Sequence, residues 1–182
     1  MSLKKIFGHL HTISHHRHVV IKLCFKAGIG LQGLRHDLSK YSLTEFIPGC
    51  KYYQGTRSPN EAEREKYGYS LAWLHHKGRN KHHYEYWNDY SIKDDAYLPV
   101  KMPLKYVKEM FCDRVAASKI YKKDQYTTAS PYEYFASKNV QSRTHPDTYK
   151  LLETLLLMLK DKGEEETLKY IKKIKTYEEV IK

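Results

Sequence analysis

Histidine and aspartate carry most of the chemistry this chain can do. Eleven histidines occur in 182 residues, and ten of them precede residue 84. His11, His15 and His18 stand at i, i+4 and i+7, so on a helix they share one face. His36 is followed directly by Asp37, and His75-His76 and His82-His83 form two doublets. Asp113 comes later, inside the otherwise apolar stretch Glu109-Met-Phe-Cys-Asp-Arg-Val-Ala-Ala117. Imidazole nitrogens together with carboxylate oxygens suit Zn, Fe, Mn, Co or Ni. A lone histidine is ordinarily a packed or surface side chain. Paired histidines with two aspartates point instead to a metal site, and an aspartate beside a histidine is placed to bridge two ions. Among Phe111, Cys112, Val115 and Ala116, a carboxylate at 113 is costly to bury unless a cation neutralises it. That cation is a metal, or an arginine such as Arg114 or Arg35.

Basic residues lie close to these groups. Lys40 follows Asp37 by three positions, and Lys77, Arg79 and Lys81 lie between the two doublets. Cations beside a metal are what a phosphate ester needs for charge neutralisation; the alternative is an exposed basic turn. Tyr52, Tyr53, Tyr84, Tyr86, Trp87 and Tyr90 are placed either to stack on a base or to fill the core. The chain has no GxSxG elbow, P-loop, GxGxxG or HExxH, so those chemistries have no support.

The elements that must position these residues read as helices. Strand-like alternation is nearly absent. The first helix is expected over 3–27, stopping at Gly28, and a shorter one over 31–38. Ser42-Leu-Thr-Glu45 reads as a capping box opening a third, followed by a loop over 48–56. Ser58-Pro59-Asn60-Glu61 starts a long helix ending at Gly78. Asn80 is placed to cap a helix over 81–90, with a loop over 94–103 behind it. Further helices are expected over 103–121, from Ser130-Pro131, and from His145-Pro146, with Gly163 separating a final charged helix. The fold class is all-α: about eight helices in one bundle spanning 1–182. The metal core lies at about 11–117, with helices of 130–182 packed on it.

Composition fits a globular chain with a real core: 41% of residues are hydrophobic and 29% charged. Three widely spaced cysteines without a CxxC pair suggest free thiols and a cytoplasmic setting. Histidines interrupt any apolar leader after Met1, and no run of about 18 apolar residues exists, so no membrane partner is expected. The formal charge of +11 favours an anionic partner: a small phosphorylated substrate, a nucleotide, or nucleic acid.

The order of the histidine and aspartate groups resembles the HD superfamily of metal-dependent phosphohydrolases. The matching stretches are His15-His-Arg-His18-Val, Leu34-Arg-His36-Asp37-Leu-Ser-Lys40, His75-His76 with His82-His83, and Cys112-Asp113-Arg114-Val115. The lysine after the His-Asp pair, and a double histidine about thirty residues before the late aspartate, are similar to the HD-GYP branch of cyclic-dinucleotide phosphodiesterases. Two features depart from that branch: no Gly-Tyr-Pro follows His83, and the gap between the doublets is short. The chain also resembles an uncharacterised family of small bacterial and phage proteins, through His36-Asp-Leu-Ser-Lys-Tyr-Ser, Lys51-Tyr-Tyr-Gln-Gly and Asn80-Lys-His-His-Tyr-Glu-Tyr-Trp87. That likeness covers most of the first 120 residues and brings no activity.

The HD resemblance implies one or two divalent transition metals held by His18 (His15 its rival), His36, Asp37, His75, His82, His83 and Asp113. Asp37 would bridge or orient the metal. Lys40 and Arg79, with Lys77 and Lys81, would bind substrate. The implied activity is hydrolysis of a phosphate ester or anhydride. The competing expectations are an HD-type di-iron oxygenase and a non-catalytic nucleotide- or nucleic-acid-binding protein.

Overall fold

The computed structural model describes residues 2–181, and among them it contains eight α-helices and one small hairpin. Helix α1 (Leu3–Lys26) is capped by the Ser2 hydroxyl, which accepts from Lys5 N, and ends before Gly28 at φ 79°. Its buried face is His9, Ile13, His16, Val20, Leu23 and Cys24. Helix α2 (Gly30–Gly33) is one turn, and a 3₁₀ turn over Leu38–Tyr41 follows it. The expected single helix over 31–38 is therefore broken in two. The His-Asp pair occupies the break, with Asp37 left-handed at φ 53°, ψ 27°.

Helix α3 (Leu43–Tyr52) runs straight through Pro48, where a loop was expected. Pro48 lies in the second turn, so its ring displaces few helical bonds. The long helix expected from Ser58 to Gly78 is two: α4 (Pro59–Tyr67) and α5 (Leu71–Arg79). Gly68 at φ 78° closes the first, and Ser70 caps the second by accepting from Trp73 N. Glu63, buried, accepts from the Ser70 hydroxyl and fixes the corner.

No helix forms over 81–90. A 3₁₀ turn at Tyr84–Tyr86 leads into an antiparallel hairpin, β1 (Asn88–Ser91) with β2 (Ala96–Pro99), in the register Asn88↔Pro99 and Ser91↔Ala96. The hairpin is largely exposed, so it is a small departure from the all-α expectation rather than part of the core.

Helix α6 (Leu104–Lys122) packs against α1 and α8 (Pro146–Lys173), and α7 (Ser130–Ala136) packs on α6 and α8. Gly163, at φ 79° and ψ 174°, interrupts α8 as its position foretells. The apolar core joins Val20 and Leu23 of α1, Val107, Phe111 and Val115 of α6, Phe135 of α7 and Leu151, Leu155 and Leu159 of α8. It covers one face of α6. On the other face of that helix Glu109 and Asp113, with His16 of α1, replace apolar side chains by carboxylate and histidine. Cys24, Cys50 and Cys112 are buried free thiols. No helix among the described residues is long and apolar enough to cross a membrane.

Candidate metal centre

Asp37 is the focus of the buried polar core. Its left-handed backbone is a conformation that aspartate tolerates better than most residues, at some cost in strain. Arg17 holds the turn from α1 by donating to the carbonyls of Leu34 and His36. The two carboxylate oxygens face different ways. Oδ2 lies 3.2 Å from His36 Nε2 and 3.9 Å from His16 Nε2, whereas Oδ1 lies 3.3 Å from His76 Nε2 and 3.6 Å from His82 Nε2. Neither oxygen receives an aligned hydrogen bond; the Lys40 ammonium approaches Oδ2 at 2.6 Å as an ion pair only. Burial favours the neutral acid, yet the charges of His36 and Lys40 hold Asp37 well below the usual carboxylate range.

Around this carboxylate stand two sets of donors. His16, His36, Asp37 and Asp113 bring one ligand atom each within 4.8 Å of one another, and so do Asp37, His76, His82 and His83. Asp113 Oδ1 is 3.0 Å from His16 Nε2 and 3.5 Å from His36 Nε2. Ring nitrogens approach each other closely within each set: 3.4 Å for His16 and His36, 2.9 Å for His76 and His83. Two such nitrogens attract only if a proton or a cation lies between them.

The outer nitrogens of the rings are held by carboxylates. Glu109 Oε1 meets His36 Nδ1 at 2.9 Å and His82 Nδ1 at 3.2 Å, and Gln32 donates to the other oxygen. Burial opposes the charge of Glu109, but those two imidazoles bring its pKa down to about 2. Glu45 does the same for His76, accepting at Nδ1 over 2.7 Å, and for His75 over 2.6 Å. A carboxylate on Nδ1 fixes ring orientation and leaves Nε2 bare for a metal, an arrangement common to metal-ligating histidines. The buried His82 Nε2 has no hydrogen-bond partner.

The residues present fit divalent transition metal. Each set offers imidazole nitrogen and carboxylate oxygen, both sets are largely buried, and the unpaired atoms are the ones that would ligate. Buried polar atoms without partners are uncommon and call for an explanation.

The placement of the expected ligands is uneven. His36, Asp37, His82, His83 and Asp113 come together. His18 does not: it is exposed, as are His11 and His15, and His16 takes the inward position. The shared face of 11, 15 and 18 is real but looks to solvent. The buried stripe Ile13, Val20, Leu23 and Cys24 runs through 16, and 18 lies about 200° around the helix from it. His75 is likewise displaced by His76, which lies on the inner face of α5 with Ala72. His75 pairs with Glu45 and belongs to neither set. Both members of the second doublet reach the centre because α5 has ended and a turn, closed by the His83 amide on the Asn80 carbonyl, carries them; their ring centroids lie 4.1 Å apart.

Among the cations, Lys40 lines a small cleft of about 60 Å³ with His9, His76, Tyr53 and Tyr121. Arg79 and Lys81 line a different cleft, and Lys77 borders neither. Arg114, a possible partner of Asp113, instead lies over the Phe135 ring at 5.4 Å. Glu109 and Glu45 join the centre although neither is among the expected ligands. Glu109 stands four residues before Asp113, on the same helical face, and that spacing is its signal. Glu45 reads as a cap, but the Ser42 side chain makes no capping bond and Glu45 turns inward.

A family model described as a family of unknown function (DUF5662) matches residues 5–158. The chain belongs to this family. Every donor named above lies within the matched span. No curated protein and no solved structure matches the chain.

Proposed function

We propose that this chain is a metal-dependent phosphohydrolase with the HD order of ligands, acting on a nucleotide or another small phosphate ester. One observation carries the reading: Asp37 stands between two histidine sets with neither oxygen accepting an aligned hydrogen bond. His16, His36, Asp37 and Asp113 would hold one ion, and Asp37, His76, His82 and His83 a second. Such ions polarise water and neutralise phosphoryl oxygens. The chain's own part is to hold these donors still. Glu109 and Glu45 orient the rings, and Arg17 fixes the His-Asp turn. Lys40, beside Asp37 and at the small cleft, supplies a fixed cation for a substrate anion there.

The test is elemental analysis of untagged protein purified without added metal, followed by phosphate release from a panel of nucleotides and phosphomonoesters with Mn, Co, Fe, Ni or Zn. Stoichiometric transition metal with turnover is expected, both lost in Asp37→Asn. Asparagine tolerates the left-handed turn, so that variant separates the charge from the backbone. Failure to bind any of these metals overturns the reading. So does an iron-loaded protein that consumes O₂ and releases no phosphate, or salt-sensitive nucleotide binding without turnover.

A further inference from the structure

A second opening lies on the Nδ1 side of His82, behind Glu109, whereas Asp37 is met by Nε2 of the same ring. It is a cleft of about 460 Å³ between α2, the end of α5 and the first turn of α6. That volume falls within the range of small-molecule sites. It shares no lining residue with the small cleft that holds Lys40. Four cations rim it: Arg35, Arg79, Lys81 and Lys105. Among the described residues none of the four has an ion pair with a carboxylate; Lys81 and Lys105 only lie over the rings of Tyr86 and Tyr106. The first turn of α6, through Lys105 and Tyr106, forms part of this rim. Leu31 and Tyr106 give the cleft apolar wall. The single carboxylate on its lining, Glu109, is already answered by two imidazoles and the Gln32 amide, so the four cations set the field.

We propose that this cleft is a second anion-binding site, for a phosphate-bearing ligand of nucleotide size, separate from the opening at Lys40. Arg79 and Lys81, expected at the substrate, belong to it. The proposal does not depend on whether the metal centre hydrolyses anything. An occupant would touch Glu109 and His82, and so would stand against the groups that orient two ligand rings.

The test is calorimetric titration of the metal-loaded protein with pyrophosphate and with ADP, in buffer of low and of physiological salt. Binding is expected, weakening as salt rises. The double variant Arg79→Glu/Lys81→Glu, and separately Lys105→Glu, should weaken it about ten-fold or more, with metal content and helical circular dichroism unchanged. Lys40→Ala should leave it intact. All three variants change solvent-accessible side chains, and Lys105→Glu alone gives the test a second footing if the double variant fails to fold. Binding that Lys40→Ala abolishes and Lys105→Glu spares would place the anion at the metal opening and overturn the proposal. Absence of binding to both probes at low salt would overturn it as well.

Discussion

His16 and His18 differ by two positions and by everything that matters for a ligand. His16 is 7% exposed and touches Asp113, whereas His18 faces solvent. His16→Ala is expected to lower metal affinity by about ten-fold or more, and His18→Ala to leave it unchanged; titration of the metal-free protein with Mn or Zn reads both. Equal effects of the two changes would remove α1 from the site. The same centre predicts a pH dependence. Burial disfavours a charged His36, yet Asp37, Asp113 and Glu109 raise its pKa well above the ordinary value in the metal-free chain. A metal requires the bare ring, so binding must displace that proton. Protons are held below the raised pKa and absent above it. Affinity should therefore climb with pH through neutrality, about ten-fold per unit for each proton displaced. Titrations in buffers of different ionisation heat count the protons directly. Release of no proton would mean His36 does not ligate.

At the level of elements, the corner between α4 and α5 decides where His76 points. Gly68 closes α4 at φ 78° with open space where a Cβ would stand. Gly68→Ala thus tests conformation without steric clash. It should destabilise the protein by about 1–2 kcal/mol through the left-handed backbone alone, measured by urea denaturation, with metal stoichiometry retained. The same corner shows what the sequence leaves legible. Helix starts and stops marked by Ser-Pro, Gly28 or Gly163 stand where their chemistry puts them. Gly68 stands between the charged run 61–66 and the apolar run 71–74, which together read as one helix; the Ser70 cap, the Glu63–Ser70 bond and the packing of α3 favour the break. Asn80 reads as the cap of a helix over 81–90, but it closes α5 instead. The turn that the His83 amide closes on the Asn80 carbonyl overrides the local preference and brings both His82 and His83 to the centre. The types of residue at the centre were readable from the sequence. The choice within each doublet was not, except where a buried apolar stripe points at one member, as Ile13 and Val20 point at His16 and Ala72 points at His76.

Seen whole, the molecule has two cores of opposite character on shared helices. Leucines of α8 with Val107, Phe111 and Val115 of α6 make an apolar core that stands without any ligand. The polar core on the other face of α6 buries Asp37, Glu109 and the rings of His16, His36, His76 and His82, an arrangement that is unfavourable unless positive charge satisfies it. Unpaired atoms such as Asp37 Oδ1 and His82 Nε2 each forfeit about 1–3 kcal/mol when left without a partner. Metal binding to the folded chain alone converts that deficit into stability. At free metal about a thousand-fold above Kd the gain is about 4 kcal/mol, which for a chain of this length raises Tm by about 8–16 °C. Removing the metal with a strong chelator should lower Tm by that order, while the apolar core keeps the helical circular dichroism at ambient temperature. Asp37→Asn should melt near the chelated protein and gain nothing from added metal. A Tm that ignores both chelator and metal would mean that the buried histidines and carboxylates satisfy one another by protonation alone, and the two donor sets would then be a structural network rather than a metal centre.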